Sequence, residues 1–194
     1  FFGLLALRRR FHITPPLFIL LFFITSFNGH ILAHLSVGHI NWGGHFLMPW
    51  LVVLVDRFIH GDDSWDWVFQ ISLLLFAFLL QGSFHHFIWA LIFLGFLSLV
   101  FIRRFFTVLK AMVFACLAGS FRLFPPALSF TSFDRDFHGG YPTIFSIYEA
   151  LTHWVSPAEA MPFNHMGSNL GYWEFDLYIG KVGLWFLIAA GLVD

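Results

Sequence analysis

Charge is what this chain is shortest of. Asp, Glu, Lys and Arg make up 11% of its 194 residues, against about 25% in an average soluble domain. Two stretches carry none at all, Phe11 to Val55 and Trp67 to Ile102. A soluble domain of this size has too little interior to hide such runs, together with 29 phenylalanines, from water. The shortage excludes an ordinary soluble fold. Each run is long enough for a pair of membrane-spanning helices at roughly 17–25 residues apiece.

Cysteine is nearly absent too. Cys116 stands alone in AMVFACLAGSF, which excludes an intrachain disulfide and any CxxC or Cys/His metal pattern. It reads as a small buried hydrophobe. The formal net charge of −1 leaves no basic stripe, so nucleic acid is excluded as a partner.

What remains is an all-α reading: a polytopic transmembrane bundle of about six spans with a long external loop. The spacing of apolar runs predicts helices over about 15–37, 43–59, 67–82, 84–102, 106–121 and from about 178 onward. Breaks come from Asn41 with Gly43 and Gly44, from HGDDSWDW at 60–67, from QGS at 81–83 and from Arg103–Arg104. Residues 1–121 form the first five spans, 122–177 the loop with short interfacial helices, and 178–194 the start of a further span. The chain opens on Phe-Phe with no cleavable signal layout and ends inside an apolar segment, so it is read as a piece of a longer protein.

Basic residues orient the bundle. Arg8, Arg9 and Arg10 precede the first span and are placed in the cytoplasm. Alternation then puts Arg57, Arg103, Arg104 and Lys110 on that side and only Arg122, Arg135 and Lys181 on the other, seven against three. The loop from Arg122 to Leu177 becomes external, with six acids, five prolines and many aromatics. Its aromatic content argues for order, and IFSIYEALTHWV (144–155) is its best helix.

The histidines admit two readings. His30 and His34 are four apart and share a helical face, whereas His39 points the other way if that helix continues. His30 or His34 meeting His85 or His86 across the bundle makes a ligand pair for haem or chlorophyll, and a divalent metal is a further candidate. The plainer reading is polar trim at helix ends, since the run holds no acid to orient a ligand.

Five segments carry a resemblance. SVGHINWGGHFLMPWLVVLVDRFI (36–59), QGSFHHFIWALIFLGF (81–96), RLFPPALSF (122–130), FHGGYPT (137–143) and GYWEFDLYIGKVGLW (171–185) follow one another in order. They resemble segments of large bacterial membrane proteins of the GT-C glycosyltransferase-like class. The resemblance implies transfer of a sugar from a polyprenyl-phosphate donor to an acceptor at the external face of the bacterial inner membrane. Its partners are a lipid-linked sugar and membrane lipids. The class keeps its characteristic acid in a first external loop, which has no counterpart in this sequence, so no residue here inherits that role.

The densest polar cluster is SFDRDFHGGYP, 132–142. Asp134 and Asp136 are the candidate catalytic bases for an acceptor hydroxyl. Arg122, Arg135 and His138 are candidates for the phosphate leaving group, with Tyr141, Trp173 and Glu174 as further substrate contacts. The alternative is an Asp–Arg–Asp turn held by local salt bridges, with Tyr172 and Trp173 as interface anchors. In HGDDSWDW, Asp62, Asp63 and Asp66 could coordinate a hard cation, but the better reading is a solvated loop whose Ser64 and Asp66 cap the next helix. The rival function is a non-catalytic subunit among other membrane subunits, holding haem or chlorophyll through His30, His34, His85 or His86.

Overall fold

The computed structural model describes residues 1–129, 143–153 and 178–193. Every regular element among them is helical. In chain order they are α1 (Phe2–Arg10), α2 (Pro15–Ser26), α3 (Gly29–Ser36), a 3-10 segment (Ile40–Leu47), α4 (Met48–Ile59), α5 (Trp65–Leu80), α6 (Phe84–Val100), a 3-10 turn (Ile102–Arg104), α7 (Phe105–Ala118), α8 (Ser120–Ser129), α9 (Ile144–Thr152) and α10 (Gly180–Val193). Two compact units result: Phe1–Ser26 with Ile40–Thr131, and Phe27–His39 with Ser132–Asp194.

Helix starts follow local chemistry. The Ser64 side chain accepts from the Trp67 N–H (3.2 Å) and caps α5, with Asp66 in the first turn where the helix dipole favours an acid. Asn28 does the same for α3, accepting from the Ile31 N–H at 3.2 Å. Pro49 occupies the first turn of α4, where a missing N–H costs nothing.

In the first unit α5 is the hub, packing against α4, α6 and α7. Its buried positions Trp67, Val68, Ile71, Ser72, Leu75, Phe78 and Leu79 recur at helical spacing. Trp67 is wholly buried and donates its indole N–H to the Leu54 carbonyl oxygen at 2.7 Å. Helix α7 meets α5 through small side chains, Ala111 and Ala115, followed by Gly119 against Leu79. Ser72 Oγ donates to Val68 O (2.6 Å) and reaches Ala111 O (3.0 Å) across this contact. Small residues with an interhelical hydroxyl bond are how helices associate where hydrocarbon removes the hydrophobic drive.

The outward faces are apolar. Phe69 on α5, Phe96 on α6 and Phe106 on α7 are each about two-thirds exposed, and Leu17, Ile19, Leu20, Phe23 and Ile24 all stand out from α2. Patches of this extent are rare on soluble monomers. Among the described residues, length and hydropathy together qualify one stretch to cross a membrane, Pro15–Ser36, with 22 residues and mean hydropathy 1.8. A second qualifies if α6 and α7, bent by 117°, form one broken span. Helix α5 is apolar but has only 16 residues, roughly 24 Å at 1.5 Å per residue, short of a hydrocarbon core of about 30 Å.

Charge gathers at one end of the first unit. Gly3 of α1 lies against Trp50 at the start of α4, and Arg10 pairs with Asp56 near its end, so the two helices run the same way. Arg57 donates to Asp62 (2.8 Å), Asp66 (3.1 Å) and Gln70 (2.7 Å). Arg104 donates to the Phe58 carbonyl oxygen and lies over the Phe58 ring at 5.6 Å. Lys110 Nζ sits 4.8 Å from the Trp65 ring centroid. The acids of HGDDSWDW therefore serve a guanidinium and a helix cap. Burial pushes the Asp62 carboxyl up, but hydrogen bonds from Ser64 and Arg57 outweigh it and hold the group below its ordinary value.

Candidate functional site: a histidine–tryptophan cluster

The opposite end of the same unit holds the 3-10 segment and the turn between α5 and α6. Backbone polarity docks one on the other. The Gly44 N–H donates to Ser83 Oγ at 2.9 Å, Ser83 in turn donates to Asn41 O, and Gln81 Nε2 donates to Ile40 O at 2.9 Å. The approach is close enough to require glycine: a Cβ on Gly44 would lie 2.4 Å from Ser83 Oγ.

That docking stands Trp42 against the first turns of α6. Its ring stacks on His85 at 5.8 Å and 12°, meets His86 edge-on at 5.6 Å, and meets Trp89 at 6.0 Å. His86 also stacks on Phe78 of α5, 5.9 Å apart and 10° from parallel. Its side chain is buried, and its Nδ1 has no hydrogen-bond partner. His45 Nε2 lies 3.2 Å from Thr25 O; because a carbonyl only accepts, that nitrogen carries the proton. Below the cluster, Trp89 and Phe93 of α6 with Met48, Leu51, Val52 and Val55 of α4 line an apolar groove of about 590 Å³. The arrangement offers aromatic faces, imidazole edges and a greasy channel. The one carboxylate on the groove wall among the described residues is Asp56, which is paired with Arg10.

The candidate residues fall into three groups. Asp134, Asp136, Arg135, His138, Tyr141, Trp173 and Glu174 lie outside the described residues. Arg122 is on α8, exposed, and donates to Leu80 O at 3.2 Å. The histidines divide between units, His85 and His86 in the first, His30 and His34 in the second.

In the second unit His30 and His34 pack edge-on, with ring centroids 4.5 Å apart. Helix α3 stops at Ser36, and Gly38 takes φ +84°, a left-handed turn that glycine adopts without strain. His39 is thereby returned to the face it would have left in a continuing helix, and its Nδ1 lies 3.1 Å from His34 Nδ1. One of the two must present a bare nitrogen to the other's N–H. Among the described residues no three His, Cys, Asp or Glu side chains converge to hold a metal ion.

Trp42, His45 and Trp89 were absent from the candidates drawn from sequence. Their signal was present but diffuse, since aromatics flank nearly every helix end here and only the Gly44–Ser83 contact selects these three. No family model, characterised protein or solved structure matches the chain.

Proposed function

We propose that this chain is a membrane-embedded helix bundle of a GT-C-like transferase, and that it receives a polyprenyl-phosphate-linked sugar at the end bearing Trp42, His85 and Trp89. The observation that carries this reading is the continuity between the aromatic–histidine cluster and the apolar groove, which share Trp89. A polyprenyl chain suits the groove, and a sugar suits indole faces edged by imidazole donors. The exposed apolar faces of α2, α5, α6 and α7 support burial in lipid, with the short α5, α6 and α7 completing a bundle of about six spans through local thinning of the bilayer. The basic side chains gathered at the other end support a cytoplasmic position for it, in a bacterial inner membrane.

The transfer itself falls to the segment around Asp134 and Asp136. One carboxylate takes the proton of an acceptor hydroxyl, whose oxygen attacks the anomeric carbon. The bond from that carbon to the phosphate oxygen breaks, and polyprenyl phosphate leaves with the electron pair, stabilised by Arg135, Arg122 or His138. Full-length protein in proteoliposomes with a fluorescent polyprenyl-phosphate sugar tests the reading. Binding with transfer supports it; neither binding nor transfer refutes it.

One observation favours a second reading. The unpartnered Nδ1 of buried His86 suits an axial ligand for haem or chlorophyll in a non-catalytic subunit. A Soret or near-infrared band in the purified protein selects this alternative.

A further inference from the structure

At the charged end of the first unit, Arg8, Arg9 and His12 line an open recess of about 490 Å³ with Leu5 and Ile13. Three other cations at this end are engaged: Arg10 with Asp56, Arg57 with Asp62 and Asp66, Arg104 with a carbonyl and two rings. The recess cations are different. The sequence has no acid before Asp56, and among the described residues no carboxylate pairs with Arg8, Arg9 or His12.

The recess is also held in shape. Arg8 donates its Nε–H to Ile13 O at 3.3 Å and lies 5.4 Å above the Phe18 ring, which fixes the guanidinium by its Nε edge and one face. His12 has φ +51°, the one non-glycine residue in the left-handed region among those described. Such a conformation is strained for a residue with a Cβ, and strain of this kind collects at ligand sites. Two forked guanidinium groups and an imidazole without a counter-charge make a seat for a phosphate oxyanion.

The surroundings favour a phosphate carried by lipid. Pro15–Ser36, long and apolar enough to cross a membrane, begins three residues after His12, so embedding that stretch in a bilayer would bring the recess to headgroup level. Leu17, Leu20 and Ile24 of α2 are exposed at helical spacing and extend away from it as a stripe for an acyl chain. We infer that Arg8, Arg9 and His12 bind the phosphate of an anionic phospholipid. The inference rests on the membrane embedding proposed above, but not on sugar transfer.

The test reconstitutes the purified full chain in neutral phosphatidylcholine vesicles and in vesicles that also contain phosphatidylglycerol. Native mass spectrometry then counts the phosphatidylglycerol that stays bound. Incorporation into neutral vesicles checks the embedding separately, and failure there removes both readings. Given incorporation, the wild type retains phosphatidylglycerol, R8Q/R9Q weakens retention roughly tenfold or more, and R8K/R9K, which keeps the charges but loses the forks, falls between the two. R9Q alone alters an exposed side chain that makes no described contact, so it reads the site if the double variant does not fold. H12G relieves the left-handed strain, and it should fold at least as well while retaining less lipid. Retention by R8Q/R9Q or R9Q equal to wild type overturns the inference. Displacement of the lipid by millimolar inorganic phosphate alone also overturns it, by assigning the seat to free phosphate.

Discussion

The Gly44 amide donates to the hydroxyl oxygen of Ser83, 39 residues away, across 2.9 Å. Together with the bonds from Ser83 to Asn41 O and from Gln81 to Ile40 O, it ties the 3-10 segment to the turn entering α6 and brings Trp42 onto His85, His86 and Trp89. Much of the candidate site depends on it.

Replacing Gly44 with alanine should therefore loosen the cluster. The new Cβ falls 2.5 Å from Ser83 Cβ, so the segment must move, at a cost of about 1–3 kcal/mol. S83A should cost about as much, because it leaves the buried Gly44 N–H without its acceptor. Reversible unfolding in mixed micelles measures both. The two effects should be strongly non-additive, since each removes the same contact.

Ala111→Leu should separate α5 from α7. Ala111 is fully buried and its carbonyl oxygen meets Ser72 at 3.0 Å, which leaves no room for a longer side chain. Overpacking of this kind costs about 1–3 kcal/mol. Accelerated unfolding in denaturing detergent, with helicity followed by circular dichroism, checks it. Leu109→Ala, on the exposed side of the same helix, should leave the rate unchanged.

Asp62 makes the charged end acid-sensitive. Its folded pKa lies below the ordinary carboxylate value of about 3.9. A depressed folded value means the contribution is present in full above that ordinary value and is lost as pH falls through the folded one. Thermal unfolding followed downward from neutral pH should show this loss, and D62N should flatten it. Partial exposure of the pair limits the effect to about 1 kcal/mol or less.

Trp89→Ala should weaken binding of a polyprenyl-phosphate sugar by about tenfold, because it removes both an aromatic face and the wall of the groove. Trp42→Ala should reduce discrimination between sugars more than it reduces retention of the lipid chain, since Trp42 stacks in the cluster and does not line the groove. Titration with a fluorescent donor and with the bare polyprenyl phosphate separates the two effects.

The helical class was legible because uncharged runs of that length have few other uses. The break between α5 and α6 was legible in QGS, and the capping role of Ser64 in DSWDW. Other features were not. The Asn28 cap divides a run that reads as one continuous helix, because a cap depends on one side chain and barely alters hydropathy. A continuing helix would turn His39 away from His34, and the reversal at Gly38 that prevents this is a backbone angle that apolar periodicity does not encode. The 3-10 segment, expected to begin α4 at Gly43, is set by long-range bonds to Gln81 and Ser83. Helix α1 is hidden in the sequence because its LRRR tail reads as a flank, yet Arg10 anchors it to Asp56.

The most direct test asks whether the two ends of the bundle lie on opposite sides of a membrane. In a C116A background, single cysteines replace the exposed residues Asp63, at the charged end, and His85, at the histidine–tryptophan end. Intact cells are then treated with a membrane-impermeant maleimide. H85C should label in intact cells and D63C only after lysis. Labelling of both from the same side would contradict a bundle that spans the membrane between these two ends.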